Sequence, residues 1–378
     1  MQYKDFGKLG FQTSVFGMGC MRLPEVQTPE GRKVDEAEAI KMIRYALDHG
    51  VNYLDTAYGY HDGTSERIVG QALQDGYREK TKLATKLPLW RVETLEDAER
   101  IFEEQLTKLQ VESVDFYLLH AVKADRWQKV QELKILEFLE ELRKAGKIKY
   151  IGFSFHDQLE VFKEVIDAYP WDMCQIQLNI LDEEFQAGVE GLRYAGTRGI
   201  PVVIMEPLKG GKLAQNIPAD VLDLWATAPV KRSPVEWAFR WLYNYPEVTV
   251  ILSGVSSMAQ LQENIRIFAE ARSHSMTPEE LDLVRQVISL YASKTKVPCT
   301  ECGYCLPCPQ EVAIPRIFRH YNEGSIFEQY DESSRHYQEL IAKAHDASVC
   351  VECGACEQVC PQGIRITEQL KAADQALR

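Results

Sequence analysis

The sequence lacks several features that would place it in other classes of protein. None of its apolar runs is long enough to span a bilayer, and residues 1–7 lack the charged and then apolar pattern of a secretion signal. No run of Lys or Arg stands out, and 43 basic against 56 acidic residues give a net charge of -13. We therefore expect no nucleic acid and no membrane among its partners. A cytoplasmic protein that binds small molecules or basic proteins is predicted.

Cysteine is scarce through most of the chain and dense at its end. Only Cys20 and Cys174 lie within the first 298 of the 378 residues, and the other eight of the ten cysteines follow. Because disulfides are rare in a reducing cytoplasm, the eight late cysteines are predicted to be metal ligands. Cys20 and Cys174 are expected to be small buried residues. Two domains are predicted, residues 1–294 and 295–378.

Strand-like apolar segments alternate with amphipathic helical ones from residue 14 onward. The predicted strands lie near residues 14–18, 51–55, 81–86, 114–120, 149–154, 173–177, 201–205 and 248–252, and the predicted helices include 35–48, 65–74, 95–109, 128–144 and 257–271. Eight such units in roughly 250 residues predict an α/β fold, a (β/α)8 TIM barrel with its functional residues at the carboxyl ends of the strands. A doubly wound sheet is less favoured, because Gly17-Met18-Gly19 lacks the third glycine of a dinucleotide fingerprint.

The segments outside the barrel also have recognisable patterns. Residues 1–12 predict a short hairpin that acts as a lid or a plug. Thr277-Pro278-Glu279-Glu280 is a typical helix start, and that helix is expected to end near residue 293. Helical patterns at 314–321 and 334–344 lie between two runs of cysteine. A small helical domain is therefore predicted at the carboxyl end of the chain.

Three predicted strands end on polar residues. Residues 51–54 form an apolar strand that stops at Asp55, a turn of small residues leads to Tyr60, and two later strands stop at Lys86 and His120. A carboxylate at the end of an apolar strand is costly unless a cation lies nearby. In parallel neighbouring strands these four side chains would meet at one rim. Each alone has an ordinary structural explanation, but four at matching positions indicate a catalytic site.

Such a set of side chains suits hydride transfer to a carbonyl group. Negative charge that develops on the carbonyl oxygen requires a proton donor and a polar contact. Tyr60 is the expected donor. Lys86 is expected to lower the pKa of its phenol, while Asp55 holds Lys86 and His120 orients the carbonyl. Ser65 and Glu66 are expected to cap a helix rather than to contact the substrate.

These residues resemble the aldo-keto reductase superfamily over about residues 1 to 290. The resemblance depends on Asn52-Tyr53-Leu54-Asp55-Thr56-Ala57 with Tyr60, Thr85-Lys86, Val114-Asp115-Phe116-Tyr117-Leu118-Leu119-His120 and Gly152-Phe153-Ser154. It implies that Asp55, Tyr60, Lys86 and His120 are the catalytic residues. It also implies a small carbonyl substrate and a nicotinamide cofactor, NAD(P)H, bound in extended form.

The same resemblance implies a set of cofactor-binding residues. Ser154 and Gln175 would lie beside the nicotinamide carboxamide, and Met205 stands where the family often has an aromatic residue. A loop that contains Gly210 would pass the pyrophosphate, although a plain loop is equally compatible with its sequence. The full expected set is Ser154, Gln175, Met205, Pro207, Leu208, Gly210, Ser253, Gly254, Gln260 and Asn264. Many members of the family bind the 2′-phosphate of NADPH with Lys or Arg in this segment, but residues 253–264 contain neither. The choice between NADPH and NADH therefore stays open.

The late cysteines form two runs. They are Cys299-x2-Cys302-x2-Cys305-x2-Cys308-Pro309 and Cys350-x2-Cys353-x2-Cys356-x3-Cys360-Pro361. The runs resemble those of two-cluster ferredoxins, although the last gap of the first run is one residue shorter. The resemblance implies two 4Fe-4S clusters, one held by Cys299, Cys302, Cys305 and Cys360 and the other by Cys350, Cys353, Cys356 and Cys308. Structural zinc is the alternative, but it usually takes pairs of cysteine rather than triples.

The predicted function is a nicotinamide-dependent oxidoreductase that interconverts a carbonyl and an alcohol. A hydride carries two electrons and a 4Fe-4S cluster carries one, so exchange between them needs a converter such as a flavin, for which we recognise no motif. The clusters either pass electrons to a redox partner protein or brace the end of the chain. Two other functions stay open: a ferredoxin-linked electron-transfer protein, and a catalytically silent redox sensor on the same barrel.

Overall fold

The computed structural model describes residues 1–29 and 31–378. The chain forms two compact units. The first contains Met1–Gly210 and Val235–Thr277, and the second contains Gly211–Pro234 and Pro278–Arg378. The predicted domain boundary after residue 294 stays a prediction, although the second compact unit already includes residues before that point.

The first unit contains a closed parallel barrel of eight strands. The strands of the chain are β1 (Tyr3–Asp5), β2 (Gln12–Ser14), β3 (Phe16–Gly19), β4 (Glu25–Thr28), β5 (Gly31–Val34), β6 (Tyr53–Asp55), β7 (Lys82–Pro88), β8 (Val114–Val122), β9 (Ile148–Phe155), β10 (Met173–Gln177), β11 (Val202–Met205) and β12 (Val248–Gly254). The barrel has the order β3, β6, β7, β8, β9, β10, β11, β12, and β12 pairs with β3 to close it. The predicted α/β barrel is confirmed, and each strand lies beside its neighbour in sequence.

Helices alternate with these strands and continue beyond them. They are α1 (Glu36–Asp48), α2 (Ser65–Ala72), α3 (Leu95–Leu109), α4 (Ala124–Glu132), α5 (Ile135–Lys144), α6 (Leu159–Ala168), α7 (Gly188–Thr197), α8 (Ala219–Trp225), α9 (Pro234–Tyr243), α10 (Met258–Phe268), α11 (Pro278–Ser293), α12 (Ile314–Ile326), α13 (Tyr330–Ile341), α14 (Ala355–Gln358) and α15 (Ile366–Leu377). The helix predicted over 128–144 is instead split into α4 and α5. Lys134 has φ of +53° between them, a left-handed conformation that interrupts a right-handed helix.

The amino-terminal hairpin closes one end of the barrel. Strands β1 and β2 pair antiparallel, and Phe6 between them is fully buried. Its ring centroid lies 6.1 Å from that of Tyr53, the first residue of β6, and 4.9 Å from that of Phe116 near the start of β8. The hairpin is therefore a plug at the amino ends of the strands, opposite the rim that holds the predicted site, rather than a lid over it.

The early glycine pair serves packing inside the barrel. A methyl group built on Gly17 would lie 2.7 Å from Val250 Cγ1, 2.8 Å from Leu252 Cδ2 and 3.2 Å from a ring carbon of Tyr53. No side chain larger than hydrogen fits at these separations without moving its neighbours. Gly17 and Gly19 lie on β3 itself. They therefore do not form the phosphate-binding turn of a doubly wound sheet.

The second unit is helical and has its own apolar core. Val297, Ile317, Phe318, Tyr337 and Leu370 are among the residues buried in that core, and several of the late cysteines pack against it. Helices α12 and α13 correspond to the two predicted helices, whereas α14 and α15 were not predicted. No helix in the described part of the chain combines the length and the apolar character needed to cross a membrane.

Candidate functional site

Lys86 is a buried cation, and each of its three N–H groups has a hydrogen-bond acceptor. It lies on β7 beside β6, whose last residue is Asp55, and its side chain is inaccessible to solvent. Its Nζ atom donates to Asp55 Oδ1 at 2.6 Å, to the Thr56 carbonyl at 2.9 Å and to the Tyr60 hydroxyl at 3.3 Å. An ammonium group has three hydrogen atoms, and three acceptors surround this one. The geometry therefore fixes Lys86 between the carboxylate and the phenol.

Burial and charge act together on the ionisation of this group. Burial alone would lower the pKa of Lys86, but the charges of Asp55 and Tyr60 outweigh it and hold that pKa above its ordinary value. Burial raises the pKa of the Tyr60 phenol, the Lys86 ammonium opposes that rise, and Asp55 adds to it. Lys86 therefore acts on the Tyr60 pKa in the expected direction, but desolvation outweighs the cation and the net shift is upward. Tyr60 stays a protonated phenol at neutral pH.

His120 lies beside Tyr60 as a neutral imidazole. It is near the end of β8, and its ring centroid is 5.9 Å from that of Tyr60 with the ring planes at 79°. Burial, followed by the charges of Lys86, His156 and Arg126, holds the pKa of His120 well below its ordinary value. Its Nδ1 atom is buried and has no hydrogen-bond partner in the described structure. A polar ligand would satisfy this atom, because buried polar groups are normally hydrogen-bonded.

Two tryptophans that follow strands in this region have different environments. Trp90 is 43% exposed, and its ring centroid lies 4.9 Å from that of His120. The guanidinium carbon of Arg126 lies 5.2 Å from the Trp90 ring centroid. Trp127 is buried and contacts Trp171 with ring centroids 6.2 Å apart. Trp90 therefore borders the open side of the site, whereas Trp127 packs in the core.

A buried polar network lies behind Lys86. Glu66 Oε1 accepts hydrogen bonds from the Thr85 hydroxyl and the Gln105 amide, both at 2.6 Å. The same Gln105 amide nitrogen lies 3.1 Å from the Lys86 carbonyl. The expectation that Ser65 and Glu66 cap a helix is wrong, because α2 has no side-chain cap and both residues are buried. The sequence signal for this network was the placement of Glu66 three residues before Val69, on the buried face of α2.

Ser154 and Gln175 lie side by side on β9 and β10. Ser154 Oγ accepts a hydrogen bond from the Ala121 amide at 2.8 Å, and the Gln175 amide nitrogen lies 3.6 Å from the sulfur of Met205. Gln175 Oε1 is buried without a partner in the described structure. The Ser154 hydroxyl therefore offers a hydrogen-bond donor to a ligand, and the Gln175 carbonyl oxygen offers an acceptor.

The remaining expected cofactor residues lie in the loops after β11 and β12 and at the start of α10. Ser253 Oγ accepts from the Asn264 amide at 3.1 Å, and Gln260 Oε1 accepts from the Ser256 backbone at 2.8 Å. These bonds hold the loop after β12 in shape. Pro207, Leu208 and Gly210 follow β11, and Gly210 has φ of +68°, which glycine adopts without strain. The two loops frame one side of the barrel mouth.

The eight late cysteines form no disulfide among the described residues. Cys308, Cys350, Cys353 and Cys356 line one cavity of about 230 Å³, which Cys305 also borders. Burial raises the pKa of Cys356, and Glu357, Cys350 and Cys308 add to that rise. The Cys308 thiol of the first run therefore lies with the three leading thiols of the second.

The other group shows the reciprocal arrangement. Burial raises the pKa of Cys299, and the neighbouring charges that raise it further belong to Glu301, Cys302 and Cys360. Cys360 of the second run thus lies near the leading thiols of the first run. Among the described residues, no three His, Cys, Asp or Glu side chains are arranged to hold a single metal ion.

A closed parallel barrel has a buried lysine and aspartate at its carboxyl rim beside a partly buried tyrosine and histidine. This arrangement defines a class of oxidoreductase, and the comparisons agree. The model of the "Aldo/keto reductase family" matches residues 16–287, and that of the "4Fe-4S dicluster domain" matches residues 298–364. The chain belongs to the aldo/keto reductase family. It is an NAD(P)-dependent oxidoreductase with a 4Fe-4S dicluster domain at its carboxyl end.

Individual relatives are similar over most of their length. "Aldo-keto reductase YhdN" of Bacillus subtilis is 28% identical over 300 residues, which cover 69% of this chain and 87% of that protein. "L-galactose dehydrogenase" of Arabidopsis thaliana is 24% identical over 307 residues, which cover 76% and 94%. The solved structure of aldo-keto reductase AKR11C1 from Bacillus halodurans in its holo form has a TM-score of 0.64 and 28% identity, with coverage of 76% and 96%.

Proposed function

We propose that the protein catalyses the reversible reduction of a small carbonyl compound to an alcohol with NAD(P)H. The observation that carries this proposal is the 3.3 Å contact between Lys86 Nζ and the Tyr60 hydroxyl in a site where Lys86 is fully buried. A buried phenol held against a cation is a proton donor whose anion has a fixed partner. Membership of the aldo/keto reductase family agrees with this reaction.

Each of the four side chains has a distinct role in the proposal. Tyr60 donates its phenolic proton to the carbonyl oxygen, and the Lys86 ammonium stabilises the phenolate that remains. Asp55 holds Lys86 through the 2.6 Å ion pair. His120, which is neutral, donates a hydrogen bond to the carbonyl oxygen and orients it. Donors fixed before the reaction stabilise developing charge without having to reorganise.

The expected cofactor residues fit a nicotinamide dinucleotide at the barrel mouth. The nicotinamide, when bound, supplies the hydride. The unpaired oxygen of Gln175 accepts from its carboxamide, and the hydroxyl of Ser154 donates to it. Met205 lies next to Gln175, where it offers a sulfur rather than an aromatic ring to the nicotinamide. Ser253, Gly254, Gln260 and Asn264 form the wall for the adenosine end.

The test is a nicotinamide oxidation screen across aldehydes and ketones with anaerobically purified protein. We expect turnover of at least one compound and a fall of about 10²- to 10⁴-fold in kcat for Tyr60→Phe, the range for loss of a general acid. Dinucleotide affinity should be unchanged in that variant. The control is Phe102→Leu, a substitution in the core rather than at the rim, which should leave kcat unchanged. Dinucleotide binding with no turnover of any carbonyl would favour the silent redox sensor instead.

We also propose that the two groups of cysteines hold two 4Fe-4S clusters. The match of the dicluster family model and the grouping of Cys308 with Cys350, Cys353 and Cys356 support this assignment. Measurement of iron, acid-labile sulfide and zinc in anaerobically purified protein tests it. We expect iron and sulfide in equal amounts, about four of each per cluster. Zinc without sulfide would contradict the proposal.

We further propose that the clusters exchange single electrons with a redox partner protein. Cys302 and Cys353 are exposed, and the neighbouring Tyr304 and Val351 are 69% and 61% exposed, which supports access from outside. Anaerobic reduction with dithionite followed by addition of a one-electron acceptor protein tests this exchange. Rapid reoxidation of the clusters is expected. Clusters that resist dithionite, or that stay reduced with the acceptor, would support a bracing role.

A further inference from the structure

Arg126 is a cation near the rim that no carboxylate neutralises. It lies in the first turn of α4, the helix that follows β8. Its Nη1 atom donates to the Ala121 carbonyl at 2.8 Å, and the guanidinium has no ion-pair partner in the part of the chain that the structure describes. A guanidinium has five N–H groups, so most of them stay available to a ligand.

The bond to Ala121 places this guanidinium beside His120. Ala121 follows His120 directly and has φ of +55°, and the pairing of β8 with β9 shifts register within residues 119–122. Such a bulge in a strand turns side chains in a new direction and is common next to active sites. The Ala121 amide donates to Ser154 Oγ at 2.8 Å, so both polar groups of this residue are held. The position of Arg126 relative to His120 is therefore fixed by the backbone.

Trp90 is a neighbour of both side chains. Its ring centroid lies 4.9 Å from that of His120 and 5.2 Å from the guanidinium carbon of Arg126. The indole is also well exposed for a tryptophan. An exposed aromatic ring with a cation beside it suits a ligand that has an apolar segment and an anionic group. His120, Trp90 and Arg126 thus form one wall, which we call the Trp90 wall.

The charges around the Trp90 wall are positive, although the whole chain has a net charge of -13. Burial lowers the pKa of His120 well below its ordinary value and that of His156 to about 4, and the charges of Lys86 and Arg126 lower both further. Both imidazoles are therefore neutral at neutral pH. The guanidinium is the group of the wall that carries charge, and it favours an anion there.

We propose that Arg126 determines substrate specificity by binding the carboxylate of the substrate, so that the substrate class is aldehydes or ketones that carry a carboxylate. This inference rests on the proposed function, since the carbonyl group must lie at Tyr60 and His120. The apolar segment between the two groups packs on Trp90, and the guanidinium donates two parallel hydrogen bonds to the carboxylate. Because the carboxylate lies away from the reacting carbon, Arg126 contributes to binding rather than to the chemical step.

The test uses substrates with and without the negative charge. 4-Carboxybenzaldehyde is compared with its methyl ester, and succinic semialdehyde with butanal, which form a rigid and a flexible pair. Initial rates are measured with the full-length, anaerobically purified protein at saturating NAD(P)H. We expect the unaltered protein to have the higher kcat/KM for the charged member of at least one pair.

Two substitutions of Arg126 distinguish charge from geometry. Arg126→Gln should raise KM for the charged substrate by about 10- to 100-fold, as for loss of hydrogen bonds to a charged group, with little change in kcat. KM for the uncharged member of the pair should stay the same. Arg126→Lys keeps the charge but not the paired hydrogen bonds, so it should recover part of the loss.

Lys129→Gln is the matched control. Lys129 lies one turn further along α4, and its ammonium already donates to Glu93 Oε1 at 2.9 Å and to the Val92 carbonyl at 3.0 Å. Its positive charge is therefore neutralised within the protein. This variant should keep the preference of the unaltered protein within each pair.

The other outcomes would overturn the proposal. Equal losses for the charged and uncharged substrates in Arg126→Gln would mean that the guanidinium only supports the bulge at Ala121. An unaltered protein that reduces uncharged carbonyl compounds but shows no preference for a charged one would exclude the substrate class. If it reduces no carbonyl compound at all, the proposed function itself fails. The two failures are therefore distinguishable.

Discussion

The Lys86 ammonium nitrogen lies 3.3 Å from the Tyr60 phenol oxygen and 2.6 Å from Asp55 Oδ1, so one buried cation joins the proton donor to a carboxylate. Asp55 is nearly inaccessible and its second oxygen has no partner in the described structure. An unpaired buried carboxylate is costly, and Lys86 offsets that cost. Stability and the proposed chemistry therefore depend on the same contact.

Lys86→Met should lower both stability and activity. Removal of the ammonium leaves Asp55 buried without a cation, which costs about 3 to 5 kcal/mol of unfolding free energy. The Tyr60 phenolate loses its partner, so kcat should fall by about 10²-fold or more. Urea unfolding and steady-state kinetics measure the two effects.

A double variant separates these effects. Asp55→Asn together with Lys86→Met removes both charges, so most of the lost unfolding free energy should return, whereas kcat should stay low. A double variant as unstable as Lys86→Met would show that packing rather than charge explains the loss. Retained turnover in Lys86→Met would remove the cation from the proposed mechanism.

The pH profile should depend on the direction of the reaction. Burial raises the pKa of the Tyr60 phenol above its ordinary value near 10. The phenol therefore stays protonated, and able to donate its proton, from neutral pH to about pH 10. Burial and nearby cations lower the pKa of His120, so this imidazole stays neutral at and above pH 6.5. We expect kcat/KM for carbonyl reduction to be flat between about pH 7 and 9. Alcohol oxidation needs the phenolate, so its kcat/KM should rise about tenfold per pH unit.

His120→Gln provides the control for that profile. It should lower kcat/KM for reduction through loss of the orienting hydrogen bond, while the shape of the profile stays the same. A break near pH 6.5 that disappears in His120→Gln would mean that the imidazole titrates during turnover. In that case the burial of His120 would not determine its charge.

The barrel and its rim were predictable because they follow local rules. All eight predicted strands are present, and Asp55, Lys86 and His120 meet because the carboxyl ends of neighbouring parallel strands share one rim. The break at Lys134 was not predictable, because amphipathic periodicity continues across it while the backbone does not. A residue pattern predicts which face of a helix is apolar, but it does not predict where a residue with left-handed backbone conformation interrupts the helix.

Long-range contacts explain what the sequence analysis missed. The pKa direction of Tyr60 depends on how completely the site is desolvated, which no motif reports. Glu66 was interpreted from its place at a helix start, whereas its partners Thr85 and Gln105 lie 19 and 39 residues away. The Ser256 hydroxyl donates a hydrogen bond to the Arg22 carbonyl, 234 residues away in the chain. Contacts of this kind become visible only in three dimensions.

The plug at the amino end of the barrel should support stability without contributing to catalysis. Phe6 is fully buried against Tyr53 and Phe116, so Phe6→Ala should cost about 3 to 5 kcal/mol of unfolding free energy. Its kcat should be unchanged at temperatures where the variant is folded, because the proposed site lies at the other end. Phe11→Ala, at a partly exposed ring, should cost less. A fall in kcat of the folded variant would mean that the two ends of the barrel are coupled.

The grouping of the cysteines predicts which double substitutions destroy one cluster and which destroy two. Cys308 lines a cavity with Cys353, so Cys308→Ser and Cys353→Ser should damage the same cluster, and the double variant should lose no more iron than either single variant. Cys308→Ser combined with Cys302→Ser should damage both clusters and lose about twice as much iron. Iron and sulfide per chain, measured anaerobically, give the answer.

A matched control and an opposite expectation make this comparison decisive. The control is Cys174→Ala. Cys174 is buried in the barrel and distant in sequence from both runs, so the iron content of this variant should equal that of the unaltered protein. If each run of four cysteines held its own cluster, Cys308→Ser with Cys302→Ser would lose one cluster, and Cys308→Ser with Cys353→Ser would lose both. The two ligand arrangements thus predict reversed results for the same pair of double variants, because exchange of Cys308 and Cys360 between the runs changes which thiols share a cluster.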